Sequence, residues 1–282
     1  MEEVWPFRGA EMLHSGELSA RQLRRFYTPV YPGVYAPRGA ELTARQRARA
    51  AWLWSRRSGV AAGMSAAAML GSRWVEPRLP AELVHSNRRP PAMLTVYSDR
   101  LLAHETTAVG DMRVTTAART AFDIGRRLPV DEAVKRIDAL MNATRLQTCD
   151  VQAIADQHRG SRGLARLRSA LALVDGGAES PYESLTRLML VRAGLPRPET
   201  QIRVADASGA TVAFLDMGWP QFRVAVEYDG AQHWTDARQR RRDIERFAEL
   251  EALGWIVIRV SSDMLRTPAA VVERVRAALL RR

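Results

Sequence analysis

The sequence predicts an α/β protein in which a mixed β-sheet flanked by helices follows a small helix–hairpin unit and a mixed middle region. Apolar residues recur at helical spacing in some segments and alternate in others, and Asp175-Gly176-Gly177 interrupts this pattern. The 282 residues exceed one ordinary domain of roughly 100–200 residues, and a hydrophobic content of 46% can fill buried cores. We therefore expect three regions, at residues 1–58, 59–175 and 176–282.

The first region has the pattern of a winged helix. A short helix is expected near Phe7–Leu13, and a second begins after Ser19, a residue type that commonly caps helix N-termini. The run Val30–Tyr35 alternates aromatic and β-branched residues around a Pro-Gly turn, as a hairpin does. Helix followed by hairpin is the skeleton of a winged helix. The basic residues of its second helix, which we expect to contact DNA phosphates, are Arg21, Arg24 and Arg25.

The middle of the chain mixes helices and strands. An amphipathic helix is expected from its cap Thr43 to Trp54, and a close-packed helix of small residues over Ser65–Gly71. Met93–Tyr97 and Met112–Val114 have the composition of strands. Helical spacing of apolar residues predicts four further helices, at residues 115–127, 131–141, 151–158 and 163–174.

The last region predicts helices on a mixed sheet. Its expected helices cover residues 180–193, 237–253 and 268–281. Its expected strands cover residues 201–204, 211–217, 223–228 and 255–260.

The composition favours a polyanionic partner. The formal charge is +11 with a pI near 10.9, and Lys135 is the single lysine, so arginine supplies nearly all of the positive charge. Guanidinium groups bind phosphates bidentately, although an Ala- and Arg-rich chain from a GC-rich genome would carry the same charge. One cysteine, Cys149, excludes an intramolecular disulfide. The sequence has neither a membrane-spanning apolar stretch nor a signal peptide, so we expect a cytoplasmic protein with no membrane partner.

Acidic residues interrupt two apolar strands in the last region. Asp216 lies within Phe214–Met217, and Glu227 and Asp229 follow Val224-Ala225-Val226. Buried carboxylates are unfavourable unless a cation compensates them. Strand geometry puts Glu227 and Asp229 on one face, and a hairpin partner would bring Asp216 beside them. Such oxygen donors suit Mg²⁺ or Mn²⁺, and the chemistry predicted is phosphodiester hydrolysis.

The order of these motifs resembles an uncharacterised bacterial family related to the very-short-patch-repair (Vsr-like) endonucleases, within the PD-(D/E)XK class. The resemblance covers roughly the last hundred residues. It implies a restriction-endonuclease-like core with Asp216 and Glu227 as metal ligands, and His233 as a general base or charge stabiliser. Together with Asp229 as a further catalytic acid, the other residues drawn into the site are Glu183 and Asp243 as accessory acids and Arg238, Arg241 and Arg246 as phosphate-binding groups.

One position departs from the class pattern. The class carries lysine two residues after the glutamate, where this chain has Asp229, and Lys135 lies outside the region. Either His233 takes the role of that lysine, or the site binds metal without turnover.

The first half resembles the winged-helix region of AbiEi-type antitoxins, through the helix–hairpin ending Gly33-Val34-Tyr35 and the segment Ser65–Ala68. These antitoxins bind DNA as repressors and are not enzymes. The sequence therefore leaves two readings open: a Mg²⁺-dependent DNA endonuclease or nickase, and a non-catalytic DNA-binding regulator with a degenerate site. An RNA-directed nuclease is a third, without a stacking-aromatic motif to support it. Whether a partner protein or a second copy of the chain is needed stays open.

Overall fold

A computed structural model describes residues 5–87, 89–230 and 237–281, and the side chains of residues 237–241 lie outside this description. The chain forms two compact units, Met1–Ala133 with Ala143–Leu171, and Val134–Asn142 with Ala172–Arg282. The finer division at residues 58 and 175 stays a prediction. Within the described part of the chain, every helix is too short or too polar to cross a membrane.

The N-terminal elements form two helices and a three-stranded antiparallel sheet of order β1-β3-β2. Their bounds are β1 Phe7–Arg8, α1 Gly9–His14, α2 Ala20–Phe26, β2 Tyr27–Tyr31 and β3 Val34–Pro37. Ser19 caps α2 as expected, because its hydroxyl accepts from the backbone N–H of Gln22. The hairpin is also present. The first helix begins later than expected because Phe7 and Arg8 pair with β3 as a strand.

The following elements form a five-stranded sheet of order β6-β5-β4-β8-β7 with helices packed on it. Their bounds are α3 Ala44–Trp54, β4 Val60–Ala61, α4 Gly63–Met69, β5 Ala81–Val84, β6 Leu94–Tyr97, β7 Thr106–Val109, β8 Met112–Thr115, α5 Ala117–Arg127, α6 Val130–Thr144, α7 Thr148–Gln157 and α8 Leu164–Leu171. One core joins this sheet to the N-terminal hairpin, with Tyr31, Trp52, Leu83 and Met112 all buried in it.

A buried ionic cluster, here called the Arg119 cluster, includes Arg119 and Asp123 of α5. Arg119 Nη1 donates to Glu105 at 2.8 Å and Arg119 Nε to Asp123 at 3.1 Å, and all three side chains are at most 1% exposed. His158 also contacts Glu105, and Arg126 pairs with Asp123. Burial raises the pKa of Glu105, but the Leu102 N–H, His158 and Arg119 outweigh it and hold that pKa below the usual value. Each buried acid of this cluster therefore has a cationic partner.

The C-terminal elements form a four-stranded mixed sheet of order β12-β11-β10-β9, flanked by helices. Their bounds are α9 Pro181–Arg192, β9 Glu199–Ala205, β10 Thr211–Trp219, β11 Val224–Tyr228, α10 Ala237–Ala252, β12 Ile256–Val260 and α11 Pro268–Leu280. Strand β10 pairs antiparallel with both β9 and β11, and β12 pairs parallel with β11. The expected mixed α/β arrangement of this region is confirmed.

Two apolar clusters hold the helices against this sheet. Val226 of β11 packs with α9 and α11 residues such as Leu190 and Val271, whereas its neighbour Ala225 packs with Leu250 of α10. Successive strand residues point to opposite faces, so helices cover both faces of β11. Strand β11 is consequently buried along its length, and the acid at its C-terminal end lies in an apolar frame.

Candidate active site

The pairing of β10 with β11 brings the two predicted acids together. Met217 pairs with Val226 in antiparallel register, which sets Asp216 beside Glu227. Asp216 Oδ2 accepts from the backbone N–H of Tyr228 at 2.8 Å. The adjacent position is held from the other side, since the Asp229 N–H donates to the carbonyl of Val260 in β12 at 2.8 Å. The juxtaposition expected from strand geometry is therefore present.

Asp216 lies in a strongly acidic environment. Burial, followed by the nearby carboxylates of Glu183 and Glu227, raises the pKa of Asp216 to about 7. Glu183 is 8% exposed on α9, and burial raises its pKa as well. The Glu183 carboxylate also accepts from the Glu179 N–H at 2.8 Å, so it helps to cap its own helix. The helix N-terminus thus fixes this acid near Asp216.

Two arginines neutralise the other acids of the site. Arg246 of α10 donates from both terminal nitrogens to the two Glu227 oxygens, at 2.9 and 2.8 Å. Arg259 of β12 donates to Asp229 and is the parallel-strand partner of Glu227. Arg259 is not among the site residues predicted from the sequence, because one arginine in an apolar strand is the pattern of an ordinary half-exposed strand. Its register opposite Glu227 is the signal that identifies it.

These residues surround an open cavity of about 180 Å³. Its charged wall consists of Asp216, Glu227, Asp229, Asp243, Arg246 and Arg259. Phosphate groups, carboxylate-bound cations and water can all reach such a wall.

The remaining predicted residues divide into three groups. His233 lies outside the described residues, and so do the side chains of Arg238 and Arg241, whose backbone belongs to the first turns of α10. Arg21, Arg24 and Arg25 are exposed on α2, in the other compact unit. Their role in DNA binding stays a prediction.

The donor set fits a divalent ion held mainly by two protein carboxylates. Among the described side chains, no group of three or more His, Cys, Asp or Glu residues has the geometry of a metal site. Mg²⁺, however, commonly takes one or two carboxylates and completes its shell with water and substrate phosphates. The raised pKa of Asp216 beside Glu183 and Glu227 reflects negative charge that a cation would relieve.

The C-terminal region matches a known family. Residues 189–279, roughly a third of the chain, match the family model REase_MTES_1575, a restriction-endonuclease-like family. The C-terminal region is therefore restriction-endonuclease-like. Glu183 lies just before the matched residues.

The chain is similar to two proteins of Mycobacterium tuberculosis, uncharacterised protein MT2308 of strain CDC 1551 / Oshkosh and uncharacterised protein Rv2248 of strain H37Rv. Each is 32% identical over 162 residues, which are 57% of this chain and 59% of the relative. The chain thus spans somewhat over half the length of the curated relatives it matches. No solved structure matches the chain.

Proposed function

We propose that this chain is a divalent-metal-dependent nuclease that hydrolyses phosphodiester bonds in DNA, as an endonuclease or nickase. The observation that carries the proposal is the pair Asp216 and Glu227, side by side on antiparallel strands in a restriction-endonuclease-like region. Asp216 is buried beside two further acids, Glu183 and Glu227, and a bound cation would compensate this negative charge.

In this proposal Asp216 and Glu227 hold Mg²⁺ or Mn²⁺, and Glu183 adds negative charge beside them. When bound, the ion would supply Lewis-acid polarisation of the phosphoryl group. The Tyr228 N–H orients Asp216 through its 2.8 Å hydrogen bond. With Glu227 holding the ion, the Arg246 guanidinium would be available to bind a substrate phosphate bidentately. Asp229, His233 and Asp243 are the remaining proposed members of the site.

The N-terminal unit supports DNA as the substrate. Its helices and β1-β3-β2 sheet have the order of elements of a winged helix, and three arginines are exposed on α2. In this proposal Arg21, Arg24 and Arg25 contact the phosphate backbone, as Arg238 and Arg241 do beside the site. The net charge of +11 is consistent with a polyanionic substrate.

A second function is favoured by one observation. Arg246 already occupies both oxygens of Glu227, as a guanidinium would in a site that has lost its metal. Together with Asp229 at the usual position of the class lysine, this ion pair suits a non-catalytic DNA-binding regulator of the AbiEi type.

The deciding experiment incubates the purified chain with supercoiled plasmid in Mg²⁺ or Mn²⁺ and follows nicking on a gel. Nicking is expected to vanish with EDTA, in Asp216→Asn and in Glu227→Gln, because each treatment removes the ion or its ligand. Glu273→Gln is the matched control, since Glu273 is an exposed acid of α11 in the same unit. Nicking that survives in Asp216→Asn would contradict the assigned site. Tight DNA binding without any nicking would favour the regulator.

A further inference from the structure

Two exposed aromatic side chains of the C-terminal unit lie at the candidate site. Its large exposed hydrophobic residues among the described ones are Tyr182, Phe214, Ile244 and Leu280. Phe214 lines the cavity itself and is 57% exposed. Single exposed apolar residues need no explanation, but a group around one charged cavity indicates a binding surface.

Phe214 lies on the same side of the sheet as the acids. It precedes Asp216 by two residues in β10, and side chains two apart in a strand share a face. Its cross-strand partner in β9 is Arg203. Phe214 thus has Asp216 two residues further along β10 and Arg203 opposite it on β9, and it lines the same cavity as Asp216.

A second aromatic surface adjoins the cavity. The ring of Tyr182 stacks on that of Tyr228, with centroids 4.7 Å apart and planes within 3°. Tyr228 contributes to the cavity wall, and Tyr182 remains 45% exposed. Two of the four exposed hydrophobic residues named above, Phe214 and Tyr182, are therefore at or next to the cavity wall.

We infer that this site binds a single-stranded DNA segment, with unpaired bases stacked on Phe214 and Tyr182. The inference rests on the proposed function, because it takes the cavity to receive a phosphodiester. Aromatic rings interleaved with arginines are the usual means of holding unpaired nucleotides. In an intact duplex the base faces are stacked on one another and inaccessible to side chains. An apolar protein partner would instead bury four carboxylates and two arginines of the wall.

The inference is tested by equilibrium binding in EDTA, where hydrolysis is blocked. The probes are a fluorescent single strand of roughly 16 nucleotides and an abasic strand with the same number of phosphates. The intact chain is expected to bind the base-bearing strand about ten-fold or more tightly than the abasic one, from the stacking of one or two bases. Phosphate contacts elsewhere on the protein cancel in this comparison.

Substitutions at Phe214 and Tyr182 test whether the aromatic ring, rather than the size of the side chain, causes the preference for bases. Phe214→Ala and Tyr182→Ala are each expected to lose most of the preference for bases, and Phe214→Trp is expected to keep it. Phe214→Leu, which keeps an apolar side chain without the ring, should lose it too. Leu280→Ala is the control, since Leu280 is 82% exposed in the same unit and away from the cavity wall.

Equal affinity of the intact chain for the two strands would overturn the inference, as would a full preference for bases in Phe214→Leu. An equal weakening of both strands in Phe214→Ala would also overturn it, because that result assigns the ring to folding or to phosphate contact. These outcomes are distinct from a failure of the proposed nuclease. Base-dependent binding without metal-dependent nicking would refute the nuclease alone.

Discussion

The Arg119 cluster and the candidate site both bury acidic side chains, but they compensate the charge differently. In the Arg119 cluster each of the carboxylates of Glu105 and Asp123 is paired with a guanidinium. In the candidate site Arg246 and Arg259 pair with Glu227 and Asp229. Among the described residues, however, neither Asp216 nor Glu183 forms an ion pair of its own, and Arg246, which is paired with Glu227, only partly offsets the charge of Asp216.

The direction of the pKa shifts follows this difference. Partners hold the pKa of Glu105 below its usual value, whereas burial and like charges raise the pKa of Asp216 to about 7. A cation beside a buried acid compensates the charge, whereas a buried acid without one destabilises the fold and can bind a cation from solution. We therefore assign a structural role to Glu105 and Asp123, and we expect a functional role for Asp216 and Glu183.

The largest effect is expected from Arg119→Met. Removing the guanidinium takes away the arginine partner of the fully buried Glu105 and one of the arginine partners of Asp123. Breaking a buried pair of this kind lowers the free energy of unfolding by about 3–5 kcal/mol. Urea denaturation measures the loss. Arg49→Met is the matched control, since the Arg49 and Asp111 side chains are 35% and 55% exposed. The control should lose less than about 1 kcal/mol. Equal losses in the two variants would remove the structural role of the Arg119 cluster.

The sequence predicts the elements of the C-terminal region well, because its strands and helices are long enough for apolar periodicity to appear. It misses β4, β5 and β7, which have two to four residues each. β4 is buried at the centre of its sheet, yet two residues carry no period. Pairing with neighbouring strands defines such elements, and a single sequence does not contain that information.

The sequence likewise predicts only part of the candidate site. Acids inside apolar strands are conspicuous, so Asp216 and Glu227 emerge from the sequence alone. Arg259 and Phe214 do not, because each has the ordinary alternation of a half-exposed strand residue. Tyr182 and Tyr228 are 46 positions apart and meet only through tertiary packing. The sequence accordingly suggested no stacking surface, whereas the fold assembles one from distant residues.

A smaller loss is expected from Arg246→Gln, which breaks an ion pair within the candidate site. The Glu227 side chain is 10% exposed and would lose its bidentate partner, but Arg246 is 31% exposed, so water screens part of the effect. We expect a loss of about 2 kcal/mol in EDTA, intermediate between surface and fully buried pairs. Added Mg²⁺ should stabilise this variant more than the unaltered chain, because in the variant the ion does not have to displace a guanidinium from Glu227.

Thermal unfolding with and without Mg²⁺ measures both effects of Arg246→Gln. Arg276→Gln serves as its control, since Arg276 pairs with the exposed Glu273 on α11. If Mg²⁺ stabilises the two variants equally, Glu227 is not a ligand that Arg246 occupies.

The smallest effect has the opposite sign and is expected from Asp216→Asn. At about pH 8 in EDTA the native Asp216 is ionised beside Glu183 and Glu227, and removing its charge should raise the free energy of unfolding by about 1 kcal/mol. The amide oxygen of asparagine can still accept from the Tyr228 N–H. The pKa of Asp216 is about 7 in the folded chain, against 3.8 for the unperturbed group. As the pH falls through 7, the folded native chain therefore takes up a proton that the unfolded chain does not.

The native chain consequently gains stability relative to the variant on acidification, and the advantage of Asp216→Asn should shrink as the pH falls from about 8 through 7. Denaturation curves at several pH values measure this convergence, with Glu273→Gln as the control that should show no such trend. If Asp216→Asn is less stable than the native chain at about pH 8, the Asp216 carboxylate is already compensated in the folded protein. In that case the two clusters are alike, and the main argument for a cation at Asp216 is lost.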